Sequence, residues 1–187
     1  MLTVILTGGA SRRMGRDKAL LPYGGKTLLQ TLIDRYQTLG PVGVSVNCCG
    51  RFPMEGAREL PDVWPDQGPM NGVLSAFRLT DAPEILLTAV DLPNGDIDLA
   101  RRLCELRGSA DVCLVERGVR GIEPLFAIYG SACLPAAEDC MRQGRRSLRA
   151  LLERVIVRYV RPEELPDFDL EHVFYNVNTP EDYRLLK

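Results

Sequence analysis

Thirteen residues near the start of the chain, Leu6 to Lys18 (LTGGASRRMGRDK), carry the groups that a polyphosphate needs. Gly8 and Gly9 allow a tight turn and close approach of backbone to a ligand, and Arg12, Arg13, Arg16 and Lys18 add positive charge within ten residues. The apolar run Leu2 to Ile5 just before them reads as a first strand, and a loop placed directly after such a strand opens many nucleotide sites. For Gly-Gly and Arg-Arg alone the competing reading is a solvated basic turn. The strand before the loop, Met14-Gly15 within it and Leu20-Leu21-Pro22 after it weigh toward the phosphate reading. Two familiar loops do not fit. The glycines at 8, 9 and 15 miss the G-x-G-x-x-G dinucleotide spacing, and Gly25-Lys26-Thr27 lacks the first glycine of a Walker loop, whose place Leu20 holds.

Two further places carry chemistry. Ile85 to Val90 is the most apolar strand in the chain, of the kind buried on both faces, and Asp91 ends it. A carboxylate there must meet a cleft, a hydrogen bond or a cation. Mg²⁺ takes one or two carboxylates together with substrate phosphates and water, so Asp91 is the candidate metal ligand; capping of the next turn is the alternative. Asn176 and Asn178 point to one side if Tyr175 to Asn178 is extended, and otherwise read as a turn before a terminal helix.

Taken together, L-x-G-G-x-S-x-R-M-G-x-D-K followed by L-L-P-x-x-G-x-x-L-L resembles the opening of the MobA-type nucleotidyltransferases, the molybdenum cofactor guanylyltransferases. The similarity continues through Val46-Asn47, Pro61-Asp62, Gly68-Pro69-Met70-Asn71-Gly72, Val90-Asp91-Leu92-Pro93, Glu123-Pro124 and Asn176-Val177-Asn178-Thr179-Pro180, so it spans the chain. The resemblance implies an α/β Rossmann-like three-layer sandwich of the nucleotide-diphospho-sugar transferase type, with a mostly parallel, mixed central sheet in one domain over 1–187. It implies GTP and Mo-molybdopterin as substrates, transfer of GMP to molybdopterin-bound molybdenum, and Mg²⁺ as cofactor. Leu6, Thr7, Gly8 and Gly9 are then expected to touch the nucleotide by backbone, with Lys18 on the phosphates and Arg13 as a second phosphate contact. Asn47, Asp62, Gly68 and Gly72 complete the nucleotide side, Asp91 binds the metal, and Asn176 and Asn178 border the pterin side. Asp66 competes with Asp62, because the spacing from Pro-Asp to Gly-Pro is shorter here than is usual in the family.

The chemistry asks little of acid–base groups. In nucleotidyl transfer a phosphate oxygen attacks the α-phosphorus of a triphosphate and pyrophosphate leaves, so the site must neutralise about four negative charges. The attacking phosphate is already ionised and needs no general base. The only histidine, His172, is accordingly expected to be structural or on the surface. Within the same fold, cytidylyl transfer or transfer to another phosphate acceptor is the nearest alternative; the distinction rests on Thr7-Gly8-Gly9, where the chain resembles the L-x-G-G of the guanine enzymes and the cytosine enzymes tend to carry alanine in place of Gly8. A non-catalytic nucleotide- or molybdopterin-binding protein is the alternative of another class; it would dispense with Asp91 and the Asn-x-Asn pair, and both are present.

Composition bounds these readings. A chain of 187 residues buries roughly two-thirds of its unfolded surface. A net charge of −2 argues against general binding of nucleic acid or membrane surfaces. No apolar run approaches the ~20 residues of a membrane span, and no charged leader precedes the first strand. The six cysteines show no C-x-x-C spacing and fall mainly in apolar patterns, so they read as free thiols of a cytoplasmic protein. The resemblance also implies molybdoenzymes or other cofactor-biosynthesis proteins as partners.

The elements that must position these groups alternate along the chain. A helix from Leu28 to Leu39 is followed by strands at Val42 to Asn47 and Arg58 to Leu60, a helix over Met70 to Leu79 and the strand ending at Asp91. Asp96 caps a helix to about Leu106. Strands follow at Val112 to Val115 and Leu125 to Tyr129, joined by a turn at Gly118 to Gly121. Helices at Ser131 to Arg142 and Ser147 to Arg154, a strand at Val155 to Val160, a surface segment to Asp169 and a helix from Thr179 complete it. Strand–helix alternation predicts a mostly parallel sheet with its ligand at the carboxyl ends of the strands, where the Leu6 loop, Asn47 and Asp91 all fall. Arg142, Arg145, Arg146 and Arg149 read as a solvated helical face, or as contacts for the pterin phosphate or a partner.

Overall fold

The computed structural model describes residues 1–7, 17–64 and 68–186. Arg13, Gly8, Gly9 and Asp66, with Arg12 and Arg16, therefore lie outside the described residues.

The first strand, β1 (Leu2–Leu6), is followed by a 3₁₀ turn at Lys18–Leu20 and a small hairpin, β2 (Pro22–Tyr23) and β3 (Lys26–Thr27). The hairpin turns on Gly24 (φ 58°) and Gly25 (φ 82°), left-handed values that glycine adopts without strain. This is what the Gly-Gly-Lys-Thr run forms, in place of part of a phosphate loop. Next come α1 (Leu28–Tyr36), β4 (Val42–Val46), β5 (Arg58–Pro61), α2 (Pro69–Leu79), β6 (Glu84–Ala89) and α3 (Ile97–Arg107). The second half holds β7 (Val112–Glu116), β8 (Ile122–Gly130), α4 (Leu134–Arg142), α5 (Leu148–Leu152), β9 (Val157–Val160), α6 (Leu170–Val173) and α7 (Pro180–Leu185).

Seven strands form one sheet in the order β5-β4-β1-β6-β8-β7-β9. All pairings are parallel except those of β8, which runs antiparallel to both β6 and β7. The mixed, mostly parallel sheet is thus the expected one. Side chains alternate between its faces: Ile5, Leu86, Cys113 and Val115 pack on one side with α1 and α3, while Val4, Leu87, Val112 and Leu114 pack on the other with α2, α4 and α5. Both faces are covered, which is why the strands read as nearly continuous apolar runs.

The helices begin where local chemistry lets them. Thr27, Asp96 and Ser147 accept the orphan amides of Gln30, Leu99 and Ala150 at the starts of α1, α3 and α5. Two departures from the expected elements have simple causes. Strand β8 starts at Ile122, three residues early, carrying Pro124 near its start beside a bulge between Leu114 and Glu116. Helix α6 lies just beyond the segment expected to be surface, in a stretch given no element, and is started by the Asp169 carboxylate on the amide of His172.

Cys113, Cys133 and Cys140 are buried, Cys104 is partly so, and Cys48 and Cys49 are exposed; all six are free. Burial pushes the Cys113 thiol up to about 11 and that of Cys133 up to about 12, which keeps them in the inert thiol form.

Gly95 shows how tightly the segment after Asp91 is packed. A Cβ there would sit 2.8 Å from the Phe126 ring and closer still to the Tyr36 hydroxyl, and both rings are fully buried. Gly95→Ala is therefore expected to destabilise the protein by about 1–3 kcal/mol, read as a lower denaturation midpoint with unchanged slope.

Candidate functional site

Because β1, β4, β5, β6 and β7 run parallel, their carboxyl ends share one edge of the sheet, and β8 begins there. That edge gathers Thr7, Asn47, Asp62 and Asp91, which are scattered over the first half of the chain. At its centre, Lys18 donates to Asn178 Oδ1 at 2.9 Å and lies 3.8 Å from Asp91 Oδ2. Lys18 reaches this point from the 3₁₀ turn, which the Asp17 carboxylate starts by accepting the Ala19 amide. Asn178 reaches it from an extended arm, in which Val177 is buried while Asn176 and Asn178 are exposed on the other side. The Val177 amide donates to the Asp91 carbonyl at 2.9 Å, so the arm runs along the backbone of Asp91 itself. Asn176 lies on the arm but bonds only the Phe174 carbonyl, at 3.4 Å, among the described residues.

Asp91 is held in place from several sides. The Val90 amide donates to the Leu6 carbonyl and the Leu92 amide to the Ala89 carbonyl, while Arg35 of α1 donates to the carbonyls of Pro93 and Gly95. Its side chain is 27 % exposed, and Oδ1 is buried with no hydrogen-bond partner among the described residues. Burial raises its pKa above the usual carboxylate range, and the nearby Lys18 ammonium partly offsets this. A carboxylate with one oxygen facing a cation and the other unmet suits a divalent ion.

The nucleotide-side residues are arranged around this centre. The Thr7 hydroxyl donates to the Ser45 carbonyl at 2.6 Å, and the Ser45 hydroxyl lies 3.3 Å from Asp62 Oδ1. The carbonyl of Leu6 is taken by Val90, and its side chain packs where Gly72 has none; a Cβ on Gly72 would clash with it. Gly72 thus brings α2 close to the sheet. Gly68 precedes Pro69 at the start of α2 with φ 78° and ψ −169°, a region essentially confined to glycine. Asn47 is exposed and accepts from Arg51 at 3.2 Å. Arg51 also donates to Asp17 at 2.7 Å, tying the end of β4 to the return of the first loop. Nothing in its sequence neighbourhood marked Arg51.

Of the arginine run, Arg142 and Arg145 are paired with Asp139 and Glu153 on the surface, as a solvated face would be. The Arg146 carbonyl lies beside Gly68 and the Arg149 guanidinium beside Gly121. A cavity of about 660 Å³ opens behind the Asp91 loop, lined by Arg35, Asn94, His172 and Tyr175 among others. Lys18, Asp91 and Asn178 are not part of its wall. His172 is exposed there, and its carbonyl accepts from Asn94 at 3.2 Å.

A covered, mixed, mostly parallel sheet of this topology is the fold of the nucleotidyltransferases. The chain belongs to the family of the MobA-like NTP transferase domain, whose family model matches residues 3–160. A probable molybdenum cofactor guanylyltransferase of Pelotomaculum thermopropionicum is 34 % identical over 184 residues, covering 96 % of this chain and 88 % of that protein. One from Bacillus subtilis is 30 % identical over 197 residues, covering 100 % and 94 %. Among solved structures, molybdopterin-guanine dinucleotide biosynthesis protein A of Archaeoglobus fulgidus superposes with a TM-score of 0.85 at 24 % identity, covering 100 % of this chain and 96 % of that one. The 2-C-methyl-D-erythritol 4-phosphate cytidylyltransferase of Thermus thermophilus shares the fold at a TM-score of 0.71 and 17 % identity, covering 98 % and 95 %. Among the described residues no helix is long and apolar enough to cross a membrane.

Proposed function

We propose that this chain is a molybdenum cofactor guanylyltransferase. It transfers GMP from GTP to the molybdopterin-bound molybdenum cofactor, acts as one domain in the cytoplasm, and releases pyrophosphate and the guanine dinucleotide form. The observation that carries the reading is the meeting of Lys18, Asp91 and Asn178, drawn from the first loop, a central strand and the C-terminal arm of a MobA-like chain. The names of its relatives supply the base and the acceptor.

The mechanism follows from these groups. The acceptor phosphate is ionised at neutral pH, so its oxygen attacks the α-phosphorus without help from a base, and no histidine belongs to the site. What the protein must supply is orientation and positive charge. Lys18 contributes an ammonium to the triphosphate, and Asn178 fixes its direction. Asp91, with its unmet Oδ1, would hold Mg²⁺ at the phosphates. When bound, that ion neutralises charge building on the phosphoryl oxygens. Asn47 and Asp62 offer an amide and a carboxylate suited to a base edge or ribose hydroxyl. Leu6, Thr7, Gly68 and Gly72 shape the nucleotide wall, and Asn176 faces the acceptor. Molybdoenzymes and other cofactor-biosynthesis proteins are the partners that would receive the product.

Calorimetric titration with GTP, CTP, ATP and NAD, each with and without Mg²⁺, tests the reading. Binding of GTP alone, at least tenfold tighter with Mg²⁺, is the expected result. Preference for CTP would move the chain to the cytidylyltransferases, and binding of no triphosphate would leave a non-catalytic relative.

A further inference from the structure

The Glu123-Pro124 pair and the turn after β7 are left without a part in the reaction, and the structure joins them to the asparagine arm. Arg117 follows β7 and its amide closes the turn on the Gly121 carbonyl at 2.7 Å. Its side chain is only 10 % exposed and makes three contacts. It donates to Glu123 at 2.9 Å and to Glu171 of α6 at 2.6 Å, and its guanidinium lies 5.3 Å from the centre of the Phe174 ring. Arg120 pairs with the second oxygen of Glu171, and Phe174 meets Phe126 of β8 edge-on at 5.9 Å. A planar fork that bonds two carboxylates and stacks on a ring is a geometry that only arginine provides.

Phe174 is two residues before Asn176, where the exposed arm begins. At the arm's far end the Asp182 carboxylate accepts the amides of Asn178 and Thr179, and the Thr179 hydroxyl accepts that of Asp182. The arm is therefore stretched between two anchors, a capping box beyond it and the Arg117 clamp before it, with the Val177 amide on the Asp91 carbonyl between them. Among the described residues, Glu123, Arg117, Glu171 and Phe174 connect the β7–β8 turn to the segment that delivers Asn178 to Lys18.

We infer that Arg117, locked by Glu123 and Glu171, is a positioning residue that sets the Asn176–Asn178 arm against Lys18 and Asp91. The role rests on the proposed function for its consequence in turnover, but the geometry it claims can be observed without turnover. Small displacements of supporting groups cost up to about 100-fold in rate, and a loosened anchor two residues from the arm is such a displacement.

The test uses Glu171→Gln, at a carboxylate 65 % exposed whose loss costs the fold little, and Arg117→Met beside it. Three readouts are taken on each: the NMR signals of the Asn178 side-chain amide, the affinity for Mg²⁺–GTP, and kcat for pyrophosphate release. Displaced Asn178 signals with kcat lowered about tenfold and GTP affinity within twofold of the parent is the expected pattern. Unmoved Asn178 signals in folded Glu171→Gln overturn the inference, and so does a loss of GTP affinity equal to the loss of kcat. Should Arg117→Met fail to fold, Glu171→Gln decides alone. Should the parent protein bind no GTP, the proposed function fails while the Asn178 signals still judge the positioning.

Discussion

Asp91→Asn is expected to lower Mg²⁺-dependent pyrophosphate release by about 100-fold or more while leaving the protein at least as stable as before. The two halves of this result have separate causes. Activity falls because an amide cannot hold a divalent cation as a carboxylate does. Stability holds because burial raises the folded-state pKa of Asp91 above its unfolded value, so ionising it costs the folded state free energy. The sign follows from proton counting. Between the unfolded carboxylate pKa and the raised folded one, the native state binds more protons than the unfolded state. Stability from this group therefore falls as pH rises through that window and stays lower above it. The asparagine variant lacks this slope, so its melting temperature at pH 7 should match or exceed the parent's. Thermal scans across pH 4 to 7 beside the pyrophosphate assay decide the matter. A variant that loses several degrees together with its activity would make Asp91 a structural cap, and one that keeps turning over would remove it from the mechanism.

Lys18→Met is the second large expectation and runs the other way in stability. The ammonium and the Asp91 carboxylate are both mostly covered, at 13 % and 27 % side-chain exposure, and stand 3.8 Å apart. Removing the cation leaves a half-buried carboxylate without its partner, at a cost of about 1–2 kcal/mol at neutral pH. Asn178 loses its donor at the same time. If Lys18 holds the triphosphate as proposed, GTP affinity should fall by about 10- to 100-fold with the loss of that charge. The double variant Lys18→Met/Asp91→Asn should recover most of the lost stability and none of the activity, because the stability defect comes from the unpaired carboxylate and the activity defect from both groups. Equal melting temperatures for the single and double variants would show that the pair carries no coupling.

Much of this architecture was legible from local chemistry. Strands β1, β4, β6 and β7 show as apolar runs because both of their faces are covered, and two helix starts show in Asp96 and Thr179, whose carboxylate and hydroxyl accept amides three residues away. The elements that escaped are those whose stability is not local. Strands β2 and β3 have two residues each, and the turn at Gly24 and Gly25 is their only local signal. Helix α6 has four residues, and its end is held by Arg117 from a turn more than fifty positions earlier. Arg51 and Arg117 look like ordinary surface arginines in the sequence, because a guanidinium shows its role only through the groups that surround it.

The sequence by itself determined which groups are available and which edge of the sheet they share. Alternating strands and helices require a mostly parallel sheet, and its carboxyl ends are where the first loop, Asn47 and Asp91 must fall. Only the tertiary structure decided which of them touch. Lys18 and Asn178 meet across 160 positions of chain. The arm carrying Asn178 docks on the Asp91 carbonyl, and Asp91 Oδ1 is left without a hydrogen-bond partner among the described residues. Spacing within a strand or a helix follows from backbone geometry and can be read locally. The contact of a loop with a distant arm depends on how whole layers close over the sheet, and burial, which raises the pKa of Asp91, exists only once they have closed.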